Sequence, residues 1–246
     1  MARYAKGSGQ TGQNNRSFIR MLKAVIFDFD GVIANTEPVH LRAFQATLAG
    51  EGIELTEEDY YANYLAYDDR TLFVKLYEHR GLEMGDTLLA ALMERKSHNY
   101  DHMIEGNIEL LPGAVDFVKS LKGKYRLAIG SGALEAEIVN VLDFAGIRES
   151  FEVIVGADNI ANCKPAPDVY IEALRRLNTL GGDSAAISPA ECLVIEDSVS
   201  GIRAALAAGM KCLAVTNSYS GDDLGEAHAI KPGLLGLDPG SLGNLF

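Results

Sequence analysis

The sequence predicts an α/β protein: a Rossmann-like parallel sheet core carrying an inserted α-helical cap domain. Three observations predict it. The apolar runs Ala24–Phe27 and Glu191–Ile195 each end in acids, Asp28 and Asp30 after the first, Glu196 and Asp197 after the second. Between residues 37 and 106 the apolar residues recur at helical spacing with no strand signal. The α/β pattern then resumes at Leu110-Leu111-Pro112-Gly113. An open α/β sheet builds its sites at the carboxyl ends of its strands. Both acidic pairs are therefore expected on one edge of one sheet.

Residues 1–20 hold Arg3, Lys6, Arg16 and Arg20, no acid, and much Gly, Gln and Asn. They read as a flexible N-terminal tail. Residues 21–36 and 107–246 read as the α/β core, and residues 37–106 as the cap. Asn35 and Thr36 suit a helix start, Pro38 its first turn, and Leu41, Phe44 and Leu48 its buried stripe up to Gly50 or Gly52. Thr56 precedes Asp59 as in a capping box. Asp68 opens a helix with Leu72, Phe73, Leu76 and Tyr77, stopped by Gly81. Asp86 opens another with Leu88, Leu92, Tyr100 and Met103, stopped by Gly106. Two linkers, near 35–38 and 105–112, join cap to core and permit a hinge.

In the core, Tyr125–Gly130 reads as a strand running into Ser131-Gly132-Ala133, a hydroxyl and backbone N–H groups suited to a phosphate. Phe151–Val155 is a further strand. Lys164 follows, held by Pro165 and Pro167 just before a helix, so it presents a point charge to the sheet edge. After Glu196 and Asp197 comes an alanine-rich helix closed by Gly209. Lys211–Val215 reads as the last strand, and the Gly- and Pro-rich tail from Ala229 is given no element.

The chain has 246 residues, 48% of them apolar, which supports a full core. Its net charge of −12 makes a nucleic-acid backbone an unsuitable partner. The three cysteines, Cys163, Cys192 and Cys212, have no metal-ligand spacing, and an odd number points to a reducing, cytoplasmic setting. No apolar run is long enough to span a membrane. A monomer or weak dimer is expected.

Two acids at one strand end repel and pay a desolvation cost unless a cation or proton relieves them. Asp28, Asp30, Glu196 and Asp197 are thus candidate metal ligands. With only oxygen donors they favour Mg²⁺ over Zn²⁺. Whether Glu196 ligates directly or only caps a helix stays open.

The motifs Asp28-Phe29-Asp30-Gly31-Val32, Ser131, Lys164 and Glu196-Asp197 occur in the order of the haloacid dehalogenase (HAD) superfamily. Residues 21–220 resemble its helical-cap phosphohydrolases, the branch of β-phosphoglucomutases and phosphoglycolate or sugar-phosphate phosphatases. The resemblance implies the HAD fold, Mg²⁺ and a small phosphorylated metabolite as substrate. It makes Asp28 the nucleophile that forms an aspartyl phosphate and Asp30 the general acid and base. Ser131, Gly132 and Lys164 become phosphate ligands.

Cap candidates are His40, Arg70 and Lys96. Lys96 lies in the apolar stripe of its helix, pointing inward to substrate or snorkelling to the stripe's edge. His40 shares a face with Phe44 and Leu48, as a structural or a substrate residue. Arg70 at a helix start suggests an anionic partner, or a surface pair with Asp68 or Asp69. A phosphosugar mutase needs a second phosphate site. Gly132, Ala133, Leu134 and Glu135 after Ser131 offer no side-chain donor, and Glu135 would repel a phosphate. These residues favour a phosphatase. His40 and the stretch 94–100 keep a mutase as the alternative, and a metabolite sensor is the non-enzymatic one. Asp30 disfavours dehalogenation.

Overall fold

A computed structural model describes residues 21–65, 67–104, 108–182 and 185–245. The expected N-terminal tail lies outside these residues. Six strands form one parallel sheet: β1 (Ala24–Phe27), β4 (Arg126–Gly130), β5 (Val153–Val155), β6 (Cys192–Glu196), β7 (Lys211–Val215) and β8 (Ala229–Lys231), in the order β5-β4-β1-β6-β7-β8. β1 sits between β4 and β6, where the strand order reverses direction, and such a point opens a crevice at the carboxyl ends. Phe27 is level with Ile129 on one side and Ile195 on the other. Asp28, Gly130 and Glu196 therefore emerge at one height.

β1 is buried along its whole length, as a central parallel strand must be. Its alternate residues serve two layers. Val25 and Phe27 face the core shared with α5 (Ala114–Leu121) and α6 (Glu135–Phe144), where Phe27 meets Phe117 and Phe151 edge-on. Ala24 and Ile26 face α7 (Asp168–Leu180) and α8 (Val199–Ala207). β8 is a sixth strand that the expected last strand, Lys211–Val215, left out. Its three residues are half-buried to exposed at a sheet edge, so they carry little apolar patterning.

Four helices follow β1: α1 (Glu37–Ala49), α2 (Glu57–Asn63), α3 (Asp69–His79) and α4 (Asp86–Ile104). They enclose a separate core that includes Leu41, Phe44, Leu72, Phe73, Leu76 and Leu92. Thr56 accepts from the Asp59 N–H at 3.1 Å and Asp68 from the Thr71 N–H at 2.8 Å, so both expected caps form. Thr36 stands at the N-cap of α1 but makes no cap bond, because its hydroxyl is used elsewhere. The passages between cap and core pair as a two-stranded ribbon, β2 (Ala34–Asn35) against β3 (Glu109–Leu110), closed by Asn35 donating to Glu109 at 2.9 Å. No described helix is long and apolar enough to cross a membrane.

Candidate active site

Three strand ends and one loop converge on Asp28. The buried Lys164 ammonium stands 2.8 Å from Asp28 Oδ1 and 2.7 Å from Glu196 Oε1. It reaches there from the loop before α7, in which the Lys164–Pro165 bond is cis. Burial alone would lower the Lys164 pKa, but the two carboxylates outweigh it and raise it. Burial, reinforced by the Glu196 charge and opposed by Lys164, holds Asp28 well above the usual carboxylate range. The Asp28 Oδ1 atom is buried without a well-aligned hydrogen bond, since the ammonium touches it off-axis.

Glu196 is fully buried and its oxygens are occupied. Oε1 accepts from Lys164 and, at 2.8 Å, from the Tyr170 hydroxyl. Oε2 accepts at 2.9 Å from the Asp197 N–H, the Ser198 N–H and the Ser198 hydroxyl. Burial pushes its pKa up, yet Lys164 and these donors bring it below the ordinary value. A Cβ on Gly201 would lie 1.6 Å from Oε1, so α8 comes this close only with glycine there. Asp197 accepts from the Ser218 hydroxyl, and burial beside Glu196 pushes it up to about 7. Gly31, at φ 72°, leaves room for the Asp197 carboxylate, whose Oδ2 would be 1.7 Å from an added Cβ.

Asp28, Glu196 and Asp197 each bring a carboxylate oxygen within 4.8 Å of the others, a geometry that suits a cation. Asp30, also expected as a metal ligand, does not bring its carboxylate into this cluster. Its Oδ1 accepts from Thr36 on the cap side, and burial raises its pKa. Ser131 is buried and accepts from the Ala133 N–H at 3.1 Å. Gly132 is exposed with open space about its Cα. Helix α6 begins only at Glu135, so Ser131 caps a turn rather than the helix itself.

Lys96 is buried among the cap helices. Lys96 is 0% exposed, so it does not snorkel. Its ammonium lies 2.7 Å from Asp69 Oδ2, 2.7 Å from His40 Nδ1, and over the rings of Phe44 and Tyr100. Burial and then the Lys96 charge lower the His40 pKa well below normal, so the imidazole is neutral and Nδ1 accepts. Arg70 is exposed and pairs with neither Asp68 nor Asp69: Asp68 caps α3 and Asp69 holds Lys96. Glu135 turns away toward Arg176 at 3.9 Å.

Sequence reasoning missed Tyr170, Ser218, Asp69, Glu37 and Glu137. Glu37 accepts from the Tyr60 hydroxyl, and burial pushes its carboxyl up to about 7. Glu137 had a legible signal, an acid at the third position of a helix, where it accepts from the Leu134 N–H at 3.2 Å. Ser218 had none.

Residues 25–215 match the family of haloacid dehalogenase-like hydrolases. Protein CbbY of Rhodobacter capsulatus is 35% identical over 84% of this chain and 91% of its own. The fructose-1-phosphate phosphatase YqaB of Escherichia coli is 32% identical over 78% of this chain and 95% of its own. Among solved structures, a mutant of CbbY from Rhodobacter sphaeroides in complex with xylulose-(1,5)bisphosphate superposes with a TM-score of 0.76. It is 28% identical and covers 88% of this chain and 96% of the other.

Proposed function

The chain belongs to the haloacid dehalogenase-like hydrolases, and from that premise we propose that it is a Mg²⁺-dependent phosphatase of a small phosphorylated metabolite. The observation that carries this reading is the buried Asp28 carboxylate with Lys164 at 2.8 Å, Asp197 beside it and Asp30 held separately by Thr36. A sugar phosphate is the substrate class, by likeness to CbbY and YqaB.

In the first step an Asp28 oxygen attacks phosphorus in line. The bond from phosphorus to the leaving oxygen breaks, and an aspartyl phosphate forms. Asp30 enters this step protonated, which its burial favours, and gives its proton to the leaving oxygen. In the second step Asp30 takes a proton from water as that water attacks phosphorus. The bond to Asp28 breaks and inorganic phosphate leaves. Lys164 and the Ser131 hydroxyl hold the phosphoryl oxygens, with Gly132 giving the chain room to approach. Glu196 orients Lys164 and draws in no phosphate of its own.

The donor set fits Mg²⁺. Asp28 Oδ1 is a buried oxygen without an aligned donor, Asp197 is adjacent, and the three clustered acids offer oxygen only. Asp28 and Asp197 would hold the ion, which would neutralise charge on the phosphoryl oxygens. Glu196, with its oxygens already bonded, acts behind them as a positioning residue.

The test is phosphate release from a panel of phosphorylated sugars and glycolate, with Mg²⁺ and with excess chelator. Release that requires Mg²⁺ and is lost in Asp28→Asn is expected. Equal turnover in chelator overturns the metal assignment. Isomerisation of β-glucose 1-phosphate without net release would instead make the enzyme a mutase.

A further inference from the structure

The turn that follows β1 is held from a strand two places away in the sheet. β6 lies between β1 and β7. Just past the end of β7, the Thr216 N–H donates to the Lys231 carbonyl at 3.0 Å, so the chain there is still anchored to β8. The next two residues reach back past β6. The Asn217 side-chain amide donates to the Gly31 carbonyl at 2.7 Å, and the Ser218 hydroxyl donates to Asp197 Oδ2. One dipeptide thus holds both the turn after Asp30 and the acid that follows β6.

The packing at this point leaves no room for a side chain at residue 31. A Cβ there would lie 1.7 Å from Asp197 Oδ2 and 2.8 Å from Ser218 Oγ. The Gly31 N–H donates to the Ala34 carbonyl at 2.9 Å, so with Asn217 on its carbonyl the turn is fixed at both polar groups. Asn217 and Ser218 are themselves exposed, and no apolar core depends on them. Asp197 is 4% exposed and stands in the cluster with Asp28 and Glu196. A carboxylate free to rotate turns away from like charges. The Ser218 bond fixes its rotation and leaves lone pairs on both oxygens. Hydrogen-bond partners behind a metal-ligating carboxylate set how tightly the ion is held.

We propose that Asn217 and Ser218 are positioning residues of the cation site. Ser218 holds the Asp197 carboxylate in the acidic cluster, and Asn217 holds the Gly31 turn against it. Affinity for Mg²⁺ therefore depends on a loop that contributes no ligand. This deepens the phosphatase reading and rests on it for the ion at Asp28 and Asp197.

Calorimetric titration of the metal-free protein with Mg²⁺, with no substrate present, tests this. Ser218→Ala should weaken binding about tenfold. Ser218→Thr, which keeps the hydroxyl, should restore most of the loss, and Asn217→Ala should weaken binding by a smaller factor. Because both residues are exposed, the metal-free melting curves should barely move. Wild-type affinity in Ser218→Ala overturns the assignment, as does a Ser218→Thr protein that binds no tighter than Ser218→Ala. Should Ser218→Ala not fold, Asn217→Ala decides by the same comparison with wild type. A wild-type protein that binds no Mg²⁺ overturns the positioning role and the metal assignment together. Failure of the phosphatase reading shows separately, as no phosphate release from any ester by a wild-type protein that binds Mg²⁺, and leaves the affinities to decide on Asn217 and Ser218.

Discussion

The hydroxyl of Thr36, the residue that enters the first cap helix, donates to the carboxylate of Asp30, which ends the first stretch of the core. The entry to the cap and the proposed general acid are thus one hydrogen-bonded unit. A threonine that could have capped α1 gives that bond up. Thr36→Val keeps the shape and removes the donor. Turnover of a sugar phosphate should fall about ten- to a hundredfold, because the Asp30 carboxylate formed as the proton passes to the leaving oxygen loses a donor. An aryl phosphate, whose leaving group needs no proton, should lose less. Equal losses on the two substrates would separate Thr36 from proton transfer.

Gly201→Ala tests the fit around Glu196. The added methyl would meet Oε1 at 1.6 Å, and that oxygen is fixed by Lys164 and Tyr170. Either α8 moves or the Lys164 pair breaks, so a loss of about 3–5 kcal/mol in stability is expected, as for a broken buried charge pair. Urea unfolding measures it. A variant as stable as wild type would show that Glu196 is free to rearrange.

Lys96→Ala should destabilise the cap before it alters specificity. The ammonium is fully buried with Asp69 and His40, so its loss strands a partly buried carboxylate and leaves a cavity beside Phe44 and Tyr100. A fall of several degrees in Tm is expected. Lys96→Met should recover the packing part of the loss and not the electrostatic part. Unchanged melting in Lys96→Ala would mean that water replaces the ammonium at no cost.

Glu137 makes stability depend on pH. Burial, opposed by Lys96 and the Leu134 N–H, pushes its carboxyl up to about 7 from an ordinary value of 4.5. A raised pKa means that the folded state prefers the protonated acid. Its contribution is fully present below the unfolded value and is lost as pH rises through about 7. Glu137→Gln should therefore match wild type best near the acid end and gain on it toward pH 8, by about 3 kcal/mol at most. Paired melting curves across that range read the difference. A gap that does not widen with pH would place the titration elsewhere.

Mg²⁺ should raise the Tm of the wild-type protein, because it relieves repulsion among Asp28, Glu196 and Asp197. Asp197→Asn should be at least as stable without metal, since one buried carboxylate is gone, and should lose most of the Mg²⁺ response. An undiminished response in this variant would put the ion away from Asp197.

Local patterns in the sequence mark the architecture and the residues that gather at the sheet edge. Buried strands followed by acids, by Ser131 and by proline-held Lys164 are local patterns, and a parallel sheet delivers such strand ends to one crevice. Helical periodicity likewise marked the cap, whose core needs only its own stripes. Tertiary structure alone decided what each polar group does with its lone pairs. Glu196 and Asp197 are neighbours in sequence, yet one spends its oxygens on Lys164, Tyr170 and backbone donors while the other stays in the acidic cluster with Ser218. Glu135 and Glu137 differ by two helical positions, so one reaches Arg176 outside and the other is buried and accepts from the Leu134 N–H. Lys96 and Asp69 pair across two cap helices, which no local spacing specifies. Hydrophobic periodicity reports which face is buried. It does not report which charges meet there, because a buried charge takes its partner from whichever element folding brings within reach.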